Sequence, residues 1–368
     1  MVKIMHIADV HLDRKTEGLT PEKSLLRRAE YKETFEKAID TAKKENVKII
    51  LICGDLFDSC QTEEQTIVFV RRVFAKVPEI YIFISPGNHD PLSAGIYKKL
   101  CENLSENVKI FGSTAECVYL DSINTRVYGM GFASEYQKDC LLQNFRVQND
   151  DTVNLICIHG DLKSQSEYNP VSPSDIADTG ADYVALGHTH TFSGIQKSGK
   201  THYAYSGALE PGGFDETGEK TVSIVELSDS GCRLTPVCIA SRRYEILPVE
   251  VTGCDPLLAV HTVLPENTAR DVYRIVLTGE VDTPPDLSRL RRNLDDCFFS
   301  LQLRDETRLR QDVWERAEED SLRGIFLRKL REKYNSAQSE ERELIEQAAR
   351  WGLAALDNME EVVRHEDK

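Results

Sequence analysis

Apolar residues in the first two thirds of the chain fall into short runs, separated by polar segments and helical patterns. Five runs have the length and β-branched content of buried strands. They cover residues 2–8, 47–53, 80–85, 153–158 and 183–186. Amphipathic patterns at 26–44 and 62–76 predict covering helices. Further strand patterns follow at 126–130, 202–205, 221–227 and 233–239. This order predicts an α/β fold with two facing sheets and helices outside them, an α/β/β/α sandwich.

From about residue 241 the pattern changes to a compact β-α-β-α-β unit. Its strands are predicted at 244–251, 272–277 and 298–303, with helices at 256–264 and 286–294. Pro284 and Pro285 interrupt the unit, and Asp286 is a suitable N-cap for its second helix. We therefore expect a separate small α/β domain.

Beyond residue 304 the sequence is charged, free of proline and helical in pattern. One apolar stripe contains Leu322, Ile325, Phe326 and Leu330, and a second contains Leu344, Ala348, Trp351, Ala355 and Met359. Residues 335–339 separate the stripes, which predicts a helical hairpin. Both stripes could pack on the chain's own body, or one could dock a partner helix. The predicted domains are 1–240, 241–304 and 305–368.

Length and composition are typical of a globular protein of several domains, since 368 residues exceed one typical domain. No run approaches the roughly 18 uninterrupted apolar residues of a membrane helix, and the first 30 residues lack a signal-peptide pattern. Ten cysteines form no Cys-x-x-Cys pair, and Cys53 and Cys157 lie in strand patterns, as buried thiols do. We expect a cytoplasmic protein with reduced cysteines and no membrane association.

A formal net charge of −16 argues against nucleic-acid binding through a broadly basic surface. It does not exclude a local phosphate site. Two divalent ions would bring four positive charges to one crevice, against two anionic ligands, Asp9 and Asp55.

Five short motifs follow the five predicted strands. They are Asp9-Val10-His11, Gly54-Asp55, Gly87-Asn88-His89-Asp90, His159-Gly160 and Gly187-His188-Thr189-His190. In an α/β protein the carboxyl ends of such strands line one crevice. An extended chain points alternate side chains the same way, so Asp9 and His11 could hold one ion. A carboxylate after the buried run 47–53 is costly unless it is paired or coordinated, and both oxygens of Asp55 could bridge two ions.

The third motif combines a ligand with a proton donor. Asn88 offers a neutral carbonyl oxygen, and His89 could face the substrate and protonate a departing alkoxide. Asp90 is expected to orient a neighbouring imidazole. Asp58 could join the site or cap the helix that begins near residue 62.

Three histidines supply the remaining nitrogen ligands: His159, His188 and His190. A single histidine at a strand end is more often an ordinary hydrogen-bonded residue. Three of them at strand ends, together with the earlier carboxylates, predict a dinuclear metal site.

These motifs, in this order and spacing, resemble the calcineurin-like metallophosphoesterase superfamily, whose pattern is D-x-H, G-D, G-N-H-[DE], H and G-H-x-H. The resemblance covers residues 1 to about 240. It implies that one ion is held by Asp9, His11, Asp55 and His190, and the other by Asp55, Asn88, His159 and His188. Asp55 is then the bridging ligand and His89 the general acid.

Within the superfamily the chain resembles SbcD-type DNA repair exonucleases. Protein phosphatases continue the second motif with Asp-Arg-Gly, whereas this chain has residues 54–58 as Gly-Asp-Leu-Phe-Asp. Residues 205–210 and 213–216 also resemble the SbcD type, and residues 159–162 and 322–326 the YhaO-like branch. The resemblance implies a capping domain at 241–304, helices that meet an SbcC-like ATPase partner, and a homodimer formed through the catalytic domain.

The expected activity is hydrolysis of DNA phosphodiesters by a hydroxide that two divalent ions activate, with His89 as general acid. Imidazole, carboxylate and amide ligands without thiolate suit manganese, with iron or zinc as alternatives. Two other functions are weighed against this one. The chain could be a small-nucleotide phosphodiesterase, or a non-catalytic adaptor, in which eroded ligands would be expected.

Overall fold

The computed structural model of the protein describes residues 1–16, 18–228, 231–281, 283–309 and 313–366. At residues 339, 340, 343, 354 and 357–366 of the last helix it describes the backbone alone.

The strands of the described residues are numbered in chain order. They are β1 (Val2–Ile7), β2 (Ile49–Cys53), β3 (Tyr81–Ser85), β4 (Val108–Ile110), β5 (Glu116–Leu120), β6 (Thr125–Met130), β7 (Val153–His159), β8 (Tyr183–Gly187), β9 (Gln196–Ser198), β10 (Thr201–Tyr205), β11 (Thr221–Ser228), β12 (Gly231–Cys238), β13 (Tyr244–Glu250), β14 (Val272–Thr278), β15 (Glu280–Val281), β16 (Ser300–Asp305) and β17 (Arg308–Leu309).

The helices are α1 (Pro21–Lys44), α2 (Glu64–Phe74), α3 (Ile96–Cys101), α4 (Pro173–Thr179), α5 (Pro256–Val263), α6 (Leu287–Leu294), α7 (Leu322–Ser336) and α8 (Ser339–Glu366). Short 3₁₀ turns lie at Leu92–Ala94, Asp121–Ile123, Thr268–Arg270, Asp295–Cys297 and Glu315–Glu318.

Two six-stranded sheets form the body of the protein. The first has the order β12-β11-β1-β2-β3-β4, and the second β5-β6-β7-β8-β10-β9. In the first sheet β1 to β4 are parallel, and β11 and β12 join antiparallel at the edge. In the second sheet β6, β7, β8 and β10 are parallel between antiparallel edge strands. Parallel strands buried on both faces require continuous apolar runs, which explains why the sequence pattern located them.

Each sheet buries one face against the other sheet and one against helices. Side chains of both sheets, such as Leu51 and Leu155, share one apolar cluster between them. The outer face of the first sheet packs against α1, α2 and α3, where Phe35 and Phe74 are fully buried. The outer face of the second sheet packs around Ile176 of α4. The predicted α/β/β/α sandwich is confirmed.

Helix α1 begins at Pro21, five residues before its predicted start. The apolar pattern did not reveal these residues because the first turn of the helix is mostly polar. The Thr20 hydroxyl accepts a hydrogen bond from the Lys23 N–H at 3.4 Å, and Pro21 occupies the first turn, where its missing N–H costs nothing. The periodic apolar face that marks the rest of α1 begins only after this turn.

The small β-α-β-α-β pattern is also confirmed. Strands β13, β14 and β16 form a three-stranded sheet, and α5 and α6 lie between them in sequence. Asp286 caps α6 as predicted, because its Oδ1 accepts a hydrogen bond from the Arg289 N–H at 2.9 Å.

The chain divides into two compact units. The first contains residues 1–247, 264–275 and 291–303, and the second contains 248–263, 276–290 and 304–368. The two large sheets belong entirely to the first unit. The domain borders expected at 240 and 304 stay a prediction.

The C-terminal helices of the second unit confirm the predicted hairpin. Leu327 of α7 and Ala349 of α8 are buried in one apolar cluster, with Phe326 packed against it. Both apolar stripes are nevertheless partly exposed. Leu322 and Ile325 of the first are 68% and 47% exposed, and Leu344 and Trp351 of the second are 67% and 78% exposed. The interpretation that both stripes pack on the chain's own body is therefore wrong for these four residues. The side chain of Met359 lies outside the described residues.

Among the described residues, no helix is both long enough and apolar enough to cross a lipid bilayer. The ten cysteines are free thiols, and the Sγ atoms of Cys53 and Cys157 lie 3.5 Å apart between the sheets.

A buried histidine links the two sheets. His6 of β1 is fully buried, its Nε2 donates to the Leu186 carbonyl at 3.1 Å, and its Nδ1 accepts from the Tyr183 hydroxyl at 2.9 Å. We place the proton on Nε2 because a carbonyl can only accept. Burial lowers the pKa of His6 from 6.5 to about 3, although the hydrogen bond to Leu186 opposes the shift.

Acid should therefore destabilise the fold through His6. Below pH 6.5 the unfolded chain protonates this imidazole and the folded chain does not, so stability is full above pH 6.5 and falls towards pH 3. The slope is about 1.4 kcal/mol per pH unit. Urea unfolding at pH 7, 6, 5 and 4 should show a shallower loss of stability in His6→Gln than in the wild type. Equal slopes would contradict the prediction.

Candidate metal centre

The five sequence motifs meet at the carboxyl ends of the parallel strands. Asp9 and His11 follow β1, Asp55 follows β2, and Asn88 and His89 follow β3 in the first sheet. From the second sheet come His159, the last residue of β7, and His188 and His190, which follow β8. The structure thus brings together all eight predicted site residues. Their roles as metal ligands or general acid stay predictions.

Several of these residues have an unusual backbone. The φ angles of Asp9, His11, Asp55 and His188 are +50°, +49°, +53° and +104°. Apart from these four and Asp13, each described non-glycine residue with positive φ is an asparagine, which tolerates this region best. Backbone strain of this kind persists where the surrounding structure fixes it, and it concentrates at functional sites.

One cluster contains Asp9, His11 and His190. The Nε2 atoms of His11 and His190 face each other at 3.1 Å. Asp9 Oδ1 lies 4.0 Å from His190 Nε2, and Asp55 Oδ2 lies 4.0 Å from His11 Nε2. The ligand atoms of Asp9, His11 and His190 are all within 4.8 Å of one another, so they could hold one ion.

A second cluster contains Asn88, His159 and His188. The Asn88 Oδ1 atom lies 2.8 Å from His159 Nε2 and 3.3 Å from His188 Nδ1. His159 Nδ1 donates to the Cys53 carbonyl at 2.9 Å, which in the neutral ring leaves a lone pair on Nε2. That lone pair points at another acceptor. Such an arrangement becomes favourable when a cation lies between the atoms.

Asp55 lies between the two clusters. Its Oδ2 is 3.5 Å from His159 Nε2, while its Oδ1 accepts a hydrogen bond from the His89 N–H at 2.9 Å. Gly87 is required beside it, because a Cβ there would clash with Asp55 Oδ1. This position suits the bridging role that the sequence predicts.

Imidazoles keep the Asp55 carboxylate charged. Burial opposes its ionised form, but the neighbouring His159, His11 and His89 outweigh burial and lower the pKa of Asp55. Burial lowers the pKa of His188, which favours the neutral ring that can donate a lone pair to a metal.

His89 is the most exposed of the eight predicted site residues, as its predicted role as general acid requires. Its Nδ1 donates to the Asp58 carbonyl at 2.8 Å, which leaves Nε2 as the atom able to reach a substrate. Asp58 Oδ1 also lies 3.2 Å from His11 Nδ1. Asp58 therefore joins the site, and the alternative that it caps the following helix is wrong, since Glu63 occupies the N-cap position of α2.

Asp90 does not orient an imidazole, contrary to the sequence-based expectation. Its buried carboxylate accepts hydrogen bonds from the N–H groups of Phe57 and Gly87, at 3.0 and 2.8 Å, and from the Tyr97 hydroxyl at 2.7 Å. These bonds join the loops after β2 and β3. Asp90 also accepts the Asp55 N–H at 3.3 Å, so it fixes the backbone of the loops that carry Asp55 and Asn88.

Two carboxylates beside the predicted histidine ligands, Glu216 and Asp161, are not among the sequence-predicted site residues. Glu216 accepts from His190 Nδ1 at 2.8 Å, from Arg14 at 3.0 Å and from the Gly212 N–H at 3.1 Å. Asp161 Oδ2 lies 3.6 Å from His188 Nε2. Both residues fall in segments that carried the family resemblance, which was the available signal.

Glu216 and His190 reinforce each other's charge. Burial opposes ionisation of Glu216, but His190 and Arg14 lower its pKa to about 2. Burial likewise opposes the charged form of His190, yet the hydrogen bond to Glu216 raises the pKa of this histidine.

Comparison with known proteins identifies the family. The sequence profile described as calcineurin-like phosphoesterase matches residues 2–192, more than half of the chain. The chain belongs to the calcineurin-like phosphoesterase family. The matched segment includes all eight predicted site residues. Proteins of this family are metal-dependent hydrolases of phosphoesters, and the donor set found here fits a dinuclear metal centre.

Individual relatives share little more than a quarter of their aligned residues with this chain. The protein described as uncharacterised metallophosphoesterase YhaO, of Bacillus subtilis, is 26% identical over 81% of this chain and 76% of its own length. The DNA double-strand break repair protein Mre11 of Aeropyrum pernix is 28% identical over 57% of this chain and 54% of its own length. A crystal structure of TT1561 of Thermus thermophilus aligns with 64% of this chain and 98% of that chain, at a TM-score of 0.42 and 12% identity.

Glu216→Gln should weaken metal binding. The variant removes the charged acceptor of His190 and Arg14, and loss of a group that orients a histidine ligand typically lowers metal affinity about 10–100-fold. Isothermal titration calorimetry with Mn²⁺ measures this change in affinity. The matched control is Glu226→Gln on β11, whose carboxylate lies 3.9 Å from Lys3 and does not contact the centre. Equal affinity in the two variants would contradict the assigned role of Glu216.

Proposed function

We propose that this protein is a metal-dependent DNA nuclease, an exonuclease of DNA repair, that hydrolyses phosphodiester bonds at the candidate metal centre. The observation that carries the proposal is a cation-lined cavity connected to that centre.

The cavity has a volume of about 720 Å³, and all of its lining residues belong to the first compact unit. Five cationic side chains line it: Arg14, Lys15, Lys23, Arg274 and Arg291. Two carboxylates, Asp215 and Asp295, are also present. The cavity therefore carries a formal positive charge on a chain whose net charge is −16. Local charge of this sign attracts polyanions.

Some of these cations remain available to a ligand. Within the part of the chain that the structure describes, Lys15, Lys23 and Arg291 form no ion pair with a carboxylate. Arg274 stacks over the Phe214 ring at 4.0 Å and donates to Gln302 Oε1 at 2.5 Å, so its guanidinium is held in place. Phosphate oxygens of a ligand would supply anionic partners for these cationic side chains.

Arg14 connects the cavity to the metal centre. It lines the cavity and donates to Glu216 Oε1, the same atom that accepts from His190 Nδ1. A strand with a phosphate at the centre could thus place neighbouring phosphates against Arg14 and Arg291. A small nucleotide offers fewer phosphates for so many cations.

The arginines of residues 241–304 differ in their surroundings. Arg274 and Arg291 line the cavity. Arg270 instead donates to the backbone carbonyls of Ala240 and Ser241, so it has a structural role. Arg289 and Arg292 do not line the cavity.

In the proposed reaction His89 donates a proton to the departing 3′ oxygen from Nε2, because the Asp58 carbonyl holds Nδ1. A positioned general acid contributes about 10²–10⁴ in rate. Asp9, His11, Asp55 and His190 would hold one divalent ion, and Asp55, Asn88, His159 and His188 the other. Two bound divalent ions would activate a water and neutralise charge on the phosphoryl oxygens. We propose manganese, because the donor set contains no thiolate.

The relatives support DNA as the substrate, since the proteins named Mre11 are described as DNA double-strand break repair proteins. They do not favour the alternative of a small-nucleotide phosphodiesterase. A non-catalytic adaptor is disfavoured because each predicted ligand is present and meets the others.

Two partners remain proposals. The exposed stripe of α8 with Leu344 and Trp351 could receive an SbcC-like ATPase. A homodimer through the catalytic domain rests on the family resemblance alone. A cytoplasmic location, expected from the sequence pattern, is likewise a proposal.

End-labelled duplex and single-stranded DNA should be shortened in the presence of Mn²⁺, with 5′-phosphorylated products. His89→Ala should lower kcat about 10²–10⁴-fold because the proton donor is lost. His261→Ala, which alters an exposed histidine of α5, is the matched control. If small nucleotide phosphodiesters were hydrolysed while the DNA stayed uncleaved, the result would instead support the function of a small-nucleotide phosphodiesterase.

Arg291→Ala should weaken DNA binding and flatten its dependence on salt. Each lost phosphate contact lowers the slope of log K against log salt by about 0.7–0.9. Fluorescence anisotropy at several salt concentrations measures both effects. Arg292→Ala removes the next arginine of the same helix, which does not line the cavity, and should change neither. Identical slopes in both variants would exclude the cavity as a phosphate site.

A further inference from the structure

An aromatic ladder leads from the candidate metal centre to the surface. The Tyr168 ring lies 5.1 Å from the His188 ring, centre to centre, with an interplanar angle of 35°. The Tyr136 ring is stacked on Tyr168 at 5.8 Å and 25°. These separations are those of interacting aromatic pairs. The innermost ring is a predicted metal ligand, and the outermost, Tyr136, is 47% exposed.

The ladder is held by paired loops. The Gln137 N–H donates to the Glu167 carbonyl at 2.9 Å, and the Asn169 N–H donates to the Gln137 carbonyl at 2.5 Å. These bonds set the residues beside them, Tyr136 and Tyr168, next to each other. Both tyrosines are therefore positioned by backbone hydrogen bonds rather than by a surrounding apolar core.

Asn169 joins the same loops to the metal centre. It is fully buried with a φ of +51°, and its Nδ2 donates to the carbonyl of His159 at 2.7 Å. Its Oδ1 accepts from the Leu141 N–H at 2.7 Å. Gly160 leaves the room that this side chain needs, since a Cβ there would meet Asn169 Nδ2. The loop that carries Tyr168 is thus anchored to a predicted ligand.

We propose that the exposed face of Tyr136 extends this ladder by stacking a nucleobase of the substrate strand, while the neighbouring phosphate lies at the metal centre. The inference rests on the proposed nuclease function. Aromatic side chains stack any base, because each base has a π-face, and stacking requires a base that is unpaired. The ligand chemistry is a nucleobase that carries a phosphate, and the ladder assigns it to a single strand or a frayed duplex end.

The cationic cavity and the aromatic ladder connect to different predicted ligands of the centre. The cavity reaches His190 through Arg14 and Glu216, whereas the ladder reaches His188 through Tyr168. A strand that crosses the centre would have phosphates on one side and a stacked base on the other.

The test uses the full chain and a single-stranded oligonucleotide with 2-aminopurine beside its terminal phosphodiester, with Ca²⁺ in place of Mn²⁺. Stacking on Tyr136 should quench 2-aminopurine fluorescence on binding. Tyr136→Ala should remove the quenching and weaken binding about 5–150-fold, as loss of one base–aromatic stack does. Tyr136→Phe keeps the ring and should restore both.

Tyr119→Ala is the matched control, because Tyr119 on β5 is also 47% exposed and lies outside the ladder. An abasic residue in place of 2-aminopurine should weaken binding to the wild type by a similar factor and make it insensitive to Tyr136→Ala.

Unchanged binding in Tyr136→Ala, with DNA still cleaved by the wild type in Mn²⁺, would overturn the stacking proposal and leave the nuclease function standing. If the free 2-aminopurine mononucleotide were quenched but the strand did not bind, the proposal that a nucleic-acid strand stacks on Tyr136 would be wrong. Absence of DNA cleavage by the wild type marks failure of the nuclease function itself.

Discussion

The candidate metal centre depends on one electrostatic constraint: polar atoms of the predicted ligands are held face to face at short distances. Asn88 Oδ1 lies 2.8 Å from His159 Nε2, and the Nε2 atoms of His11 and His190 are 3.1 Å apart. Lone pairs at these distances repel unless a proton or a metal cation lies between them. The geometry fits a dinuclear cation site beside Asp55, whose burial would otherwise be costly.

The surrounding structure holds this arrangement in place. Positive φ angles at Asp9, His11, Asp55 and His188 are unfavourable, and the hydrogen bonds of the loops compensate for them. Asp90 joins the loops after β2 and β3 through backbone N–H groups, and the Asp9 carboxylate accepts the N–H of His188 from the other sheet at 3.0 Å. His188, a predicted ligand, is thereby fixed to the other sheet as well as to its own loop.

The two sides of the centre differ chemically, and this difference bears on the substrate. On one side Glu216 lies between His190 and Arg14, and Arg14 lines the cationic cavity. On the other, His188 continues into stacked tyrosines that end at the surface. The proposed substrate, a polyanion with aromatic bases, would use both sides. The strongly acidic composition therefore coexists with a locally cationic surface.

The sequence alone determined the architecture and indicated the candidate ligands, because both leave local patterns. Buried parallel strands appear as apolar runs such as 47–53, and predicted ligands such as Asp55 and His159 lie at the ends of those runs. Contacts between residues far apart in the chain leave no such pattern. The tertiary structure alone decided that Glu216 supports His190, that Asp90 binds backbone rather than imidazole, and that Arg291, but not Arg292, lines the cavity. It also set Tyr136 against Tyr168, because that stack depends on how two distant loops pair, and loop pairing has no periodic signal in the sequence.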